Sequence, residues 1–93
     1  AGYLIFYYVL EEGEIARIAT AHSVRRQGAA SQMFRKLLDF CREQKITRIM
    51  LEVRENNEAA RQFYGKCGFT KDGIRRNYYE NPKENAVLMS VNL

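Results

Sequence analysis

Residues 3–10 are apolar and aromatic throughout, running from Tyr3 to Leu10 with Ile5, Phe6 and Val9 between them. A polar break with a glycine, Glu11, Glu12 and Gly13, separates this run from residues 14–21, which carry Ile15, Arg17 and Ile18. Such types on either side of a short glycine turn predict two antiparallel strands. From Ser31 the apolar positions Met33, Phe34, Leu37, Leu38 and Cys41 are spaced by one, three, one and three, the stripe of an α-helix that ends near Gln44. The helix is therefore expected to follow a loop that contains Gly28. Residues 48–53 form a short, nearly continuous apolar run that ends in charge, the pattern of a strand buried on both faces, with Glu52 as its odd member. Asn56, Asn57 and Glu58 offer a capping amide and an acidic first turn to a second helix over residues 59–66, and Gly68 suits a left-handed cap before Phe69. Residues 69–79 and 86–91 read as two more strands, with residues 80–84 as an exposed loop between them.

The order is β-β-α-β-α-β-β, an α/β (α+β) chain without repeat or linker, read as a single domain over residues 1–93. A helical crossover lets the second and third strands run parallel, whereas the first and last pairs are hairpins, so the sheet is mixed. Ligands in such sheets bind beyond the carboxyl ends of adjacent parallel strands, beside the amino terminus of the crossover helix. Residues 25–31 occupy that place.

Composition narrows the classes. With 46% hydrophobic and 28% charged residues in 93, the chain is an ordinary globular domain, outside the disordered and collagen-like ranges. No apolar run approaches the roughly 18 to 20 residues of a membrane helix. The opening residues lack a basic region and a small-residue cleavage site, so the cytoplasm is the expected location. Cys41 and Cys67 stand unpatterned among apolar neighbours and read as buried thiols, with no metal site expected. The net charge of +4 is spread over short pairs, Arg25 with Arg26, Arg35 with Lys36 and Arg75 with Arg76, which suit a compact phosphate better than a duplex.

Small residues at Gly28, Ala29 and Ala30 let a ligand approach the backbone, and the free amides of a first helical turn with nearby arginines favour an anion such as a pyrophosphate. A tight turn with good helix formers explains the same residues equally well until their spacing is considered. Arg25-x-x-Gly28-x-Ala30 matches the Q/R-x-x-G-x-G/A signature of the GNAT superfamily of acetyl-coenzyme A dependent N-acetyltransferases. From Glu14 onward the chain resembles the ribosomal-protein-alanine N-acetyltransferase family within it. The segments that carry this likeness are Leu51, Glu52, Val53 and Arg54 with Asn57, then Ala59, Ala60, Phe63 and Tyr64 leading to Gly68 and Phe69, and finally Ile74 through Tyr79.

The resemblance implies acetyl-CoA as cosubstrate, contacted by Ile18, Ala19 and Thr20 on the strand before the loop. The loop itself contributes Arg25, Arg26, Gln27, Gly28, Ala29, Ala30 and Ser31, and Asn57 matches a further contact, although an ordinary helix cap accounts for Asn57 as well. Strand backbone groups could hold the pantetheine arm as an added strand would be held. The family's general base falls on Glu52 and its general acid on Tyr64, implying direct attack of an amine on the thioester. Ignoring the likeness, Glu52 would pair with a neighbouring arginine such as Arg54, and Tyr64 would be core. An α-amine is already roughly a tenth unprotonated at neutral pH and a lysine about one part in two thousand, so an N-terminal acceptor asks little of the base.

The acceptor implied is a protein N-terminus, alanine of a small-subunit ribosomal protein, and the alternatives are another amine or a cofactor-binding module without turnover. Arg75 and Tyr78 are candidates for an acceptor-side wall, or for an exposed basic strand end. Alternating basic and aromatic residues there could contact nucleic acid, but no independent motif accompanies them, and neither nucleic acid nor membrane is an expected partner. His22 is a poor candidate for the base. Complete relatives carry a strand-helix-helix-strand segment ahead of this region, so the chain reads as a truncated form of the fold with residues 3–10 as an exposed edge, expected to self-associate as a homodimer.

Overall fold

The computed structural model describes residues 2–20 and 26–93. Its elements are β1 (Gly2–Val9), β2 (Glu12–Thr20), α1 (Arg26–Gln44), β3 (Arg48–Arg54), α2 (Glu58–Lys66), β4 (Thr70–Tyr79) and β5 (Glu84–Asn92), in the predicted order. One five-stranded sheet is arranged β1-β2-β3-β5-β4. β2 and β3 run parallel, and the other neighbouring pairs are antiparallel. β4 is thus parallel to β3, so the crossovers through α1 and α2 step the same way, and their common handedness puts both helices on one face. The core agrees: Phe34, Leu37 and Cys41 of α1 and Tyr64 of α2 share one cluster with Ile49, Leu51 and Val53 of β3.

Two expectations are corrected. α1 begins at Arg26, so Gly28, Ala29 and Ala30 lie inside the helix and not in a loop before it. Alanine, glutamine and arginine propagate a helix readily, whereas the apolar stripe marks only the part that is buried. β3 is buried on one face only: Ile49, Leu51 and Val53 are covered, and Arg48, Met50, Glu52 and Arg54 alternate with them on the open face. Met50 disguised the alternation. With both helices on one side, that open face is populated by polar side chains that pair among themselves, such as Arg48 with Glu12 and Asp72.

β1 is an edge strand, with Ile5, Tyr7, Tyr8 and Val9 exposed, as is Leu10 in the turn that follows. Phe6 and Tyr8 pack against Phe40 of α1, with ring centroids 6.4 and 5.4 Å away. Gly13 is required opposite them, because a Cβ there would run into the Phe6 ring. A groove of about 360 Å³ lies at the β1–β2 hairpin end of the open face, between Tyr7, Val9, Glu12, Glu14 and Met50. Cys41 is buried and Cys67 half-buried, both are free thiols, and burial pushes both up. Among the described residues, no helix is long and apolar enough to cross a membrane.

Candidate active site

β2 and β3 pair through four register positions, from Glu12 with Arg48 to Ile15 with Leu51. Past these, β2 continues to Thr20 paired with β1 alone, and β3 continues to Arg54 paired with β5 alone. The two central strands therefore part at their carboxyl ends. Ile18, Ala19 and Thr20 lie on the parted arm of β2, whose backbone groups on that side have no strand to bond.

Arg26 through Ser31 form the first turns of α1, the helix that follows β2 and leads to β3. Its first amide hydrogens lack intrahelical partners, and no acidic side chain in the first turn offsets the positive end of the helix dipole. Gly28 is exposed, and a Cβ built on it meets nothing within 4 Å. Among the described residues, packing does not require glycine there, although glycine within a helix is about 1 kcal/mol less favourable than alanine. What it leaves is free space against the helix backbone. Arg25 and His22 lie outside the described residues.

Glu52 is the first residue of β3 beyond the parting, on the open face, with 21% of its side chain exposed. Its carboxylate pairs with Arg75 of β4 at 3.3 Å, and not with Arg54. Arg54 turns to the β4–β5 hairpin, where Glu84 and two carbonyls offer it more acceptors than Glu52 could. The Arg75 guanidinium also lies 4.9 Å over the Tyr78 ring, so the two proposed wall residues are in contact with each other and, through Arg75, with Glu52. Tyr79 stands in the same group: its phenol is raised by burial, then by the nearby charge of Glu52.

Tyr64 lies on the other side of the sheet. It is 6% exposed, in edge contact with Phe63 and Phe69 at 5.5 Å each. Burial, with smaller contributions from Cys67 and Tyr79, pushes its phenol up to about 12. Glu52 thus stands on the open face of the sheet, and Tyr64 in the core on the face that the helices cover. Asn57 caps α2, its Oδ1 accepting from the Ala60 amide at 3.2 Å. The NH2 of the same amide takes no part in that cap.

Arg54, Glu84 and Asn85 are not marked as site residues by their pattern. They meet across the β3–α2 turn and the β4–β5 hairpin, a contact spanning some 30 positions that leaves no periodic trace. The one available signal was an arginine closing an otherwise apolar strand.

Residues 1–69 match the family model described as the Acetyltransferase (GNAT) family. The chain is 37% identical over 95 residues to a ribosomal protein bS18-alanine N-acetyltransferase of Haemophilus influenzae, a match covering 99% of this chain and 64% of that protein. Among solved structures it resembles the ribosomal-protein-S18-alanine N-acetyltransferase of Escherichia coli, with a TM-score of 0.88, 33% identity, and 99% of this chain on 61% of that one. It is also similar to Arabidopsis thaliana Naa50 in complex with the bisubstrate analogue CoA-Ac-MVNAL, with a TM-score of 0.86, 26% identity, and 99% of this chain on 65% of that one. The chain spans 61 to 64% of the length of the first curated relatives it matches.

Proposed function

The chain belongs to the GNAT acetyltransferase family, and from that premise we propose that it moves an acetyl group from acetyl-CoA to the α-amine of a protein N-terminus, alanine of a small-subunit ribosomal protein being the favoured acceptor. One observation carries this reading. β2 and β3 part immediately before Glu52, beside a helix amino terminus that has an open glycine and no acidic residue in its first turn. The unpaired arm of β2 suits an extended amide chain laid alongside it, and the first amides of α1 suit a diphosphate. Glycine at position 28, unexplained by packing among the described residues, fits a phosphate drawn against the backbone. The names of the relatives support the acceptor class, since those of Haemophilus influenzae and Escherichia coli act on ribosomal-protein alanine.

When bound, acetyl-CoA supplies a thioester whose acyl carbon accepts the amine while its sulfur departs. Glu52, with Arg75 beside it, takes the proton released by the amine, directly or through water. Arg75 lies where a cationic acceptor would sit, so an incoming amine must share or displace it. Tyr64 serves the sulfur. A phenol pushed up to about 12 is a far weaker acid than a free thiol near 8.5, and full proton transfer would be uphill by about 5 kcal/mol. Tyr64 is therefore a hydrogen-bond donor to the departing sulfur, not a complete acid. Asn57, with its amide NH2 outside the cap, is the remaining proposed contact, and Arg25 is assigned to the diphosphate on its motif alone.

Calorimetry with acetyl-CoA followed by thiol release with an Ala-initiated peptide tests the reading. Binding with release is the expected result. Binding without release makes the chain a cofactor-binding module, and absence of binding overturns the reading.

A further inference from the structure

Residues 80–84, a loop by pattern, are gripped by the last residue of β3. Arg54 Nη1 donates to the Pro82 carbonyl and to Glu84 Oε1, each at 3.1 Å, and Nη2 donates to the Glu80 carbonyl at 3.2 Å. The guanidinium also lies 4.4 Å from the centre of the Tyr79 ring. Glu84, 11% exposed in its side chain, accepts the Asn56 backbone N–H at 2.5 Å through its other oxygen. The Asn56 amide, and then Arg54, hold its carboxyl below the usual range. This is a charge-assisted network with several fixed acceptors and so differs from a solvated ion pair.

Beside it the β4–β5 ladder breaks. Between Arg75 and Tyr79 three residues of β4 oppose Asn85 alone. Asn85 fills the gap: its Oδ1 accepts from the Asn77 N–H at 2.9 Å, its Nδ2 donates to Glu55 at 3.2 Å, and its carbonyl accepts the Glu55 N–H at 3.0 Å. The bulge brings the Tyr78 ring under Arg75 and the Tyr79 ring under Arg54, with 5.1 Å between the two ring centres. A continuous chain of contacts therefore runs from Glu52 through Arg75, Tyr78 and Tyr79 to Arg54 and Glu84.

We infer that Arg54 and Glu84 are a positioning pair for the acceptor, holding the Tyr78–Tyr79 bulge against the β3–α2 turn so that the wall beside Glu52 is already formed when the acceptor arrives. This rests on the acetyltransferase reading above. Neither residue is hydrogen-bonded or ion-paired to Glu52 or Tyr64, so their effect on the reaction passes through the hairpin. A wall that must be ordered at each encounter weakens acceptor binding, whereas the parted strands and the start of α1 lie outside the grip.

The test uses the whole chain with Arg54→Gln, Glu84→Gln and the exchanged pair Arg54→Glu with Glu84→Arg. For each single variant the acceptor KM is expected to rise roughly 10- to 100-fold, with kcat and acetyl-CoA affinity held within about threefold. Amide exchange over residues 77–84 should quicken by at least about tenfold. Arg54→Lys should recover only part of the loss, since an ammonium lacks the forked donors, and the exchanged pair should recover more than either of its single changes. Equal loss of acetyl-CoA and acceptor binding, or an unchanged KM, overturns the inference. If the unaltered chain releases no thiol, the acetyltransferase reading is what fails, and unchanged exchange in Arg54→Gln would still refute the grip.

Discussion

Tyr64 stands against Phe63 and Phe69, and its burial has a consequence for pH. Its folded pKa of about 12 exceeds the unfolded 10, so the folded state keeps the proton longer. The stabilisation this represents is complete below pH 10 and is lost as pH rises from 10 through 12. Two units correspond to about 3 kcal/mol. The thermal midpoint should therefore fall steeply above pH 10, and Tyr64→Phe should flatten that fall in a melting series; an unchanged slope would refute the burial argument. For catalysis, Glu52→Gln should lower turnover by about 100-fold or more and Tyr64→Phe by less, while calorimetric acetyl-CoA affinity stays nearly constant. Equal losses in turnover and affinity for either variant would remove its assigned role. Both candidates were legible as residues, Glu52 because a carboxylate in an apolar run needs a reason, and Tyr64 because of its place in a matched motif. Their environments were not legible, because the partner of Glu52 comes from β4 and the cover of Tyr64 is assembled from separate elements.

At the level of elements, α1 sets a trade between stability and binding. Gly28 has open space around its missing Cβ, so Gly28→Ala should stabilise the ligand-free chain by up to about 1 kcal/mol, raising its thermal midpoint. The added methyl would occupy space proposed for a phosphate, and acetyl-CoA affinity should fall by roughly tenfold or more in the same calorimetric assay. A stabilised variant with full affinity would detach Gly28 from the site. The pattern located every strand and helix but began α1 several residues late, because periodicity reports burial while the exposed first turns follow propensity. It also missed that β3 keeps one face open. A methionine on that face is indistinguishable in sequence from a buried one.

Over the whole molecule, the two sheet edges differ. β4 presents Lys71, Asp72, Arg75 and Arg76, charges that discourage pairing, whereas β1 carries none and exposes Ile5, Tyr7 and Val9. Sedimentation over a concentration series should reveal self-association of this chain, and Ile5→Lys with Tyr7→Lys should shift it toward monomer; a strictly monomeric chain at high concentration would refute this. Element types and their order were determined by local information, since periodicity, turn residues and caps act over a few positions. The tertiary structure alone decided where β2 and β3 part, that Glu52 and Tyr64 occupy opposite faces, and that Arg54 reaches across to Glu84. Each of these depends on which strands become neighbours, and neighbours in a sheet are chosen by contacts between residues far apart along the chain.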